Sequence, residues 1–595
     1  MTQYRRIAER GTLFLNRFHV RMAGRAEPAS AFVTAPEPRT IGLYARGRQL
    51  IAGNFLFAGH LIEAPDTSIW DIAPEDAPFA PLLHGCAWLD DLAAVGDHKA
   101  TERAQTWVYD WIERFGRGTG PGWTPGITGR RLIRWINHAI LLMRLRPKED
   151  GDALFASLSC QTRFLVKRWK IADPGIDRLE ALTGVIYAGL ALEGMQELVA
   201  PAIQALGREC IETINEDGSI PSRNPEELLE VLTLLNWAAL AIEQSGQPLP
   251  LGVAQARQKI APTLRALRHS DGSLARFHGG GRGLDGWLDA ALSGSGSRER
   301  HEAGLAMGYA HMLAGRTSII ADAAPPPRGP ASARAHASTL AMELTSGRRP
   351  LIVNCGSGAS FGEEWRRAGR ATPSHSTLSL EGYSSSRLAP PQRLGARTAE
   401  MLSDVPDLVP FETHRTSDSQ KIEMAHNGWQ GTHGLTHART LEIAADGRAL
   451  VGEDYLTTLS AADETRFDRA MDAEKLQGIP YAIRFHLHPD VDAEIDMGGA
   501  AVSMALKSGE VWILRQIGAQ QLALQSSVYL ETGRLRPRST KQVVLTGRAM
   551  SYATRIRWSL AKAQETPTAV RDYAVDPRTI GYTPDGREMQ DEDVN

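Results

Sequence analysis

Residues 321–334, ADAAPPPRGPASAR, separate two different patterns of hydrophobicity. Three successive prolines cannot continue a helix and favour an extended path. Upstream, segments such as RRLIRWINHAILLM (130–143) place apolar residues at i, i+3, i+4 and i+7, the period of a helix with one buried face. The same period recurs over 82–95, 101–115, 153–169, 178–193, 197–214, 225–244, 252–268 and 300–314, which predicts about nine or ten helices. Short Gly- or Pro-bearing links join them, as helix hairpins require. No fixed repeat length is evident, so an α/α toroid and an irregular bundle both fit. Downstream the period changes to two. STLAMELTSGRRPLIVNCG, HARTLEIAADGRALVGEDYLTT, YAIRFHLHPDV, EVWILRQIG, LALQSSVYL and TKQVVLTGRAM are short, alternating and bounded by Gly, Asp or Pro. They predict antiparallel sheets packed as a sandwich.

A chain of 595 residues exceeds what one hydrophobic core can serve, so this is a multidomain protein, α then β. The pattern divides it into an N-terminal lead-in segment over 1–79, with a non-helical look from 40 to 72, and a helical domain over 80–320. A Pro-rich linker (321–333), a β-domain (334–562) and a polar tail (563–595) follow. Formal net charge is −3, so no general basic field argues for nucleic acid, and an anionic partner would need a local basic cleft. Cys86, Cys160, Cys210 and Cys355 show no paired spacing and read as reduced, buried thiols. The first twenty residues read as an amphipathic helix, not a signal peptide. No apolar run approaches the roughly 18 residues that a membrane span needs, and on this reading the chain is cytoplasmic.

Several segments carry a resemblance. RAHASTLAMEL (334–344), LIVNCG (351–356), RAGRATPSHSTLSLEG (367–382), GLTHARTLE (434–442), YAIRFHLHP (481–489) and, in the helical half, DGSIPSRNP (217–225) together resemble the heparinase II/III family of polysaccharide lyases. The resemblance spans most of the chain. It implies an N-terminal α/α toroid, an incomplete barrel, followed by a C-terminal antiparallel β-sandwich, with the substrate cleft between them. It also implies β-elimination of a uronate-containing acidic, possibly sulfated, glycan, and a periplasmic or cell-envelope setting as the alternative to the cytoplasm.

A lyase of this kind must stabilise charge on a uronate carboxylate, remove the neighbouring proton and assist the leaving oxygen. By resemblance Arg223, Asn224, His336 and His375 surround the uronate, with Arg223 gripping its carboxylate bidentately. The local sequence equally supports Asn224 as a helix N-cap before Pro225. Arg370, at the end of a basic run, Arg334, His278 in the Gly-rich loop 271–283, Tyr187, His437 and Arg439 are the further candidates for contact with sugar. Two family features are unmatched. The Tyr-His pair that follows the Arg-Asn segment is replaced by Glu226, Glu227 and Leu228, and the first His of His-x-His is Arg334. Both departures favour an alternative, a non-catalytic or repurposed member that binds an anionic envelope glycan. No cofactor is required. The family's structural metal position maps onto His336, Asn354 and His375, and Cys355 beside Asn354 would make a His336/Cys355/His375 zinc site. A hydrolase based on Glu226 and Glu227 is disfavoured, because adjacent side chains on a helix diverge by about 100°.

Overall fold

In the computed structural model, residues 2–57, 59–72, 79–302, 304–394, 397–532 and 534–563 are described; the predicted polar tail lies almost wholly outside them. The helical half follows the periodicity closely. Helices His98–Phe115, Pro125–Asn137, Lys148–Arg168, Ile176–Ala191, Ala200–Thr213, Pro225–Gln244 and Leu251–Ala266 each overlap a predicted segment, but the one predicted over 130–143 is broken at His138 and continues as Ala139–Met143. They pack in sequence: Pro125–Asn137 against Ile176–Ala191, that helix against Pro225–Gln244, and the last against Leu251–Ala266. The first pair comes together at glycines. A Cβ on Gly184 would lie 2.6 Å from the Cα of Gly129, so side chains there would push the helices apart. The result is an open helical array that does not close into a barrel.

The lead-in segment differs from its non-helical prediction. Tyr44–Ile51 is a helix, followed by a hairpin of Asn54–Phe57 with His60–Glu63. Helix Thr2–Ala23 lies against helix Lys148–Arg168 and buries Val20 and Asn16. Among the described residues no helix is long and apolar enough to cross a membrane. All four cysteines are free and buried.

The larger correction falls at the junction. The predicted helix over 300–314 does not form. Tyr309–Ala314 and Thr317–Asp322 are an antiparallel hairpin that belongs to the C-terminal sheets, and the missed helix is Trp287–Ser295. The β half therefore begins before the prolines. Residues 321–333 are not a free spacer: Asp322, Ala323 and Ser332 are fully buried, and Gly329–Arg334 forms a short 3-10 helix against the sandwich.

Two eight-stranded sheets, antiparallel throughout, make the sandwich. One runs from Phe411–Arg415 through Ser419–Trp429, Leu435–Ala444, Ala449–Thr457 and Ala553–Lys562 to Asp492–Asp496. The other runs from Gln521–Tyr529 through Arg538–Ala549, Ile479–Leu487 and Arg349–Val353 to Tyr309–Ala314. Leu344, Ile352, Leu441, Trp512 and Phe485 fill the space between them. The second sheet is covered on both faces near its edge. Ile319 and Ala321 point into the sandwich core while Tyr309 and Ile320 join the core of the helical half. All six residues of Thr317–Asp322 are buried, and the polar-apolar alternation that marks a strand is lost there.

Candidate functional site

The segment DGSIPSRNP turns at Asp217-Gly218 and delivers Arg223 to the junction with a backbone φ of +50°. Its guanidinium is fully used. Nε donates to Met307 O (3.0 Å), one terminal nitrogen to Ala324 O and Pro325 O (3.1 and 2.8 Å), and the other to Gly308 O and Asp322 Oδ1 (2.9 and 2.6 Å). Arginine has five N–H donors, and all five meet protein oxygens. The group also lies over the ring of Tyr309 at 4.7 Å, while the Tyr309 hydroxyl donates to Arg223 O. Arg223 thus fastens the helical half to the first hairpin of the sheet and has no donor left for a uronate.

Asp322, buried in strand Thr317–Asp322, is the hub that the sequence disguised as the start of a linker. Its second oxygen accepts from Ser338 Oγ at 2.7 Å and faces His278 Nε2 at 3.6 Å, beyond hydrogen-bond distance. From there three imidazoles follow. His278 Nδ1 accepts the backbone N–H of His336 (3.1 Å), and the His336 Nδ1 to His375 Nε2 distance is 3.1 Å. His375 Nδ1 lies 2.9 Å from Ala371 O. A carbonyl can only accept, so His375 carries its proton on Nδ1 and His336 donates to its Nε2. All three rings are buried. Burial pushes His375 down to about 4 and holds His278 and His336 well below their ordinary value, helped by their neighbours' charges. The structure therefore does bring Arg223, His336 and His375 together from the two halves, but as a buried seam of neutral rings and one ion pair, not as the walls of an open trough.

Asn224 sits beside this seam as the N-cap of helix Pro225–Gln244. Its Oδ1 accepts from the backbone N–H groups of Glu226 and Glu227 (3.0 and 3.2 Å), which satisfies two donors the helix end would leave open. The Gly-rich loop closes over it. A Cβ on Gly280 would stand 2.4 Å from Asn224 Oδ1, and Gly281 N–H donates to Glu226 Oε2 at 2.7 Å. Burial raises the Glu226 carboxyl, opposed by that N–H and by the charges of Arg276 and Arg334. Arg276, on the same loop, donates to Asn354 O, Cys355 O and Leu530 O and lies 4.1 Å over Tyr529. Arg282 pairs with Asp285. Arg334 is the one residue of the proposed sugar contacts that the seam leaves exposed.

The remaining candidates lie elsewhere. Tyr187 packs in the helical core, where Asn137 and Arg39 bond its hydroxyl. Arg370 is buried and donates to Ala335 O, Glu400 O and Ser332 O, so it ties the basic-run helix to the sandwich and does not face sugar. His437 and Arg439 belong to a sealed network inside the sandwich. His437 Nε2 and Arg439 Nε each reach Asp454 Oδ1 at 2.7 Å, and Trp558 Nε1 donates to Oδ2 at 2.9 Å. Burial alone would raise the Asp454 carboxyl, but Arg439 and His437 overcome it and hold the group well below the usual carboxylate range.

The zinc arrangement fares no better. His336 and His375 turn ring nitrogens on each other, whereas Cys355 Sγ faces His486 Nδ1 at 3.5 Å and Ser527 Oγ at 3.9 Å. Asn354, at the family's acid position, spends its side chain on Glu343 and on the Ser376 N–H. Among the described residues the one set of three ligand atoms that converges is the largely exposed Glu412, His414 and Glu423. Cys355 therefore does not complete a zinc site with His336 and His375, and Asn354 is a poor zinc ligand in the acid's place.

Comparison with known proteins agrees with this architecture. The family model described as heparinase II/III-like, C-terminal, matches residues 296–559, a span that begins upstream of the prolines as the β half does. FtsZ-localized protein C of Caulobacter vibrioides is 31% identical over 534 residues, covering 87% of this chain and 88% of its own length. The crystal structure of heparinase III superposes with a TM-score of 0.64 at 14% identity, over 91% of this chain and 88% of that one. A heparan sulfate lyase from Pedobacter heparinus gives 0.52 at 14% identity over 93% and 88%. The fold, an open helical array followed by a two-sheet sandwich, is that of the heparinase II/III class. This chain belongs to the heparinase II/III family. At 14% identity the two lyase structures speak for the fold alone.

Proposed function

We propose that this chain is a repurposed, non-catalytic member of the family that acts together with FtsZ at the site of division. The observation that carries the first part is the fate of Arg223. A carboxylate clamp must offer donors to a ligand, and this guanidinium gives all five to Met307, Gly308, Asp322, Ala324 and Pro325. The base and acid are also wanting, since His336 and His375 are buried against each other and Glu226 and Glu227 stand where the family carries Tyr-His. The second part rests on the name of the Caulobacter relative, FtsZ-localized protein C, which the chain matches over 87% of its length. The rival reading, β-elimination of a uronate glycan, shares the fold but would need the seam to open.

A fluorescent fusion of this chain, expressed in Caulobacter vibrioides lacking its own relative, tests the proposal. It is expected to gather where labelled FtsZ does and to disperse when FtsZ is depleted. A diffuse signal, or one indifferent to FtsZ, contradicts it.

A further inference from the structure

A cavity of about 420 Å³ opens beside the end of strand Ser419–Trp429, and none of the seam residues lines it, although Tyr383 follows His375 by only eight residues. Three segments make it: residues 383–387, 404–407 and 427–432, the last turning strand Ser419–Trp429 into a short helical turn. We propose that this cavity binds a neutral saccharide unit, a site independent of the family's cleft and of the division-site reading.

Three observations support it. Tyr383 stands at the cavity with 42% of its surface exposed, its ring perpendicular to that of His433 with centroids 4.5 Å apart. An exposed aromatic ring can meet the C–H surface of a pyranose. The walls are rigid and polar. Asn427 Oδ1 accepts from the backbone N–H groups of Asp407 and Leu408, and its Nδ2 donates to Asp407 Oδ1, which locks the second segment to the third. Gln430 is held in the same way by Asp463 Oδ2. Trp429, 1% exposed, also lines the cavity and is otherwise buried. Finally, the charge balance excludes an acidic sugar. Arg387 faces Asp404 at 3.8 Å, and Asp407 adds a second carboxylate, so the lining offers one cation to two anions. A uronate or sulfate would meet net repulsion, whereas hydroxyls of a neutral sugar find both donors and acceptors.

The volume lies within the range of small-ligand pockets and suits a sugar unit at a chain end or a free mono- or disaccharide. The test is calorimetric titration, with saturation-transfer NMR on the same samples, of the full chain with N-acetylglucosamine, its β-1,4 disaccharide, glucose and galacturonate. Two variants accompany it. Tyr383→Ala removes the stacking face. Gly431→Phe fills the cavity, since a Cβ there meets nothing within 4 Å and the backbone is not in the left-handed region. Saturable binding of a neutral sugar with a Kd of about 1 mM or tighter is expected, weakened at least about tenfold by each variant. Thermal melting of both variants should match the parent, which separates lost binding from lost folding. A disaccharide bound more tightly than the monosaccharide would point to a glycan chain as the source, and equal affinities to a free sugar. No saturation by any neutral sugar up to about 10 mM overturns the proposal, as does preference for galacturonate or binding unchanged in both folded variants.

Discussion

Replacing Arg223 by Met separates a structural clasp from a substrate clamp. The side chain makes four bonds to main-chain carbonyls and one, at 2.6 Å, to the Asp322 carboxylate, which is wholly buried and keeps only the Ser338 hydroxyl when Arg223 is gone. Removing one partner of a buried pair costs about 3–5 kcal/mol, mostly because the other charge is stranded. The lost stacking over Tyr309, a buried contact, adds about 1–2 kcal/mol. A loss of about 4 kcal/mol shifts the folding equilibrium of the affected unit roughly a thousandfold. Urea unfolding followed by tryptophan fluorescence should therefore show an early transition. Because two cores need not unfold together, hydrogen exchange provides the local readout, with protection lost first in residues 306–324 and 222–228. Adding Asp322→Asn to Arg223→Met removes the stranded charge and should recover about 2 kcal/mol. If Arg223→Met leaves stability within about 0.5 kcal/mol of the parent, the guanidinium is not a clasp and the reasoning fails.

Other expectations follow from the same geometry. His375 and His486 titrate near 4 in the folded chain against an ordinary 6.5, so between those values the unfolded chain binds more protons. Stability should fall as pH drops from about 6.5 towards 4, and His375→Gln should flatten the urea-midpoint profile in that window. Gly280→Ala places a methyl against the cap oxygen of Asn224 and should cost about 1 kcal/mol or more, read as a lower melting temperature, with Gly281→Ala milder. Asp454→Asn strands Arg439 inside the sandwich and should destabilise that half by about 3 kcal/mol, seen in the same urea experiment.

The sequence was a good guide wherever one face of an element meets water. Segment 101–115 keeps an exposed face through Glu102, Thr106, Glu113 and Arg114, and helix His98–Phe115 covers it, whereas RRLIRWINHAILLM is buried nearly all round and breaks into two helices at His138. Strand Thr317–Asp322 is buried on both sides, so its TSIIAD shows no alternation, and the prolines just after it drew the boundary too late. The site was legible as proximity and not as exposure. Motif order grouped Arg223, Asn224, His336 and His375 and left His278 apart on its loop; the structure draws Arg223, His278, His336 and His375 into one seam. Whether a guanidinium faces sugar or five protein oxygens depends on acceptors more than eighty residues away, among them Met307, Gly308 and Asp322. Nothing near Arg223 in the chain announces them. Asp454 was invisible for a similar reason: it meets His437 and Arg439 only across the ladder between two strands.

The claim that the family's chemistry has been built into the scaffold is tested most directly by following absorbance of the unsaturated uronate product during incubation with heparan sulfate, chondroitin, hyaluronan, alginate and pectate. The account expects a flat trace with every glycan from protein whose melting shows it folded. A rising trace that His336→Ala or Asn224→Ala abolishes while the fold survives would contradict it.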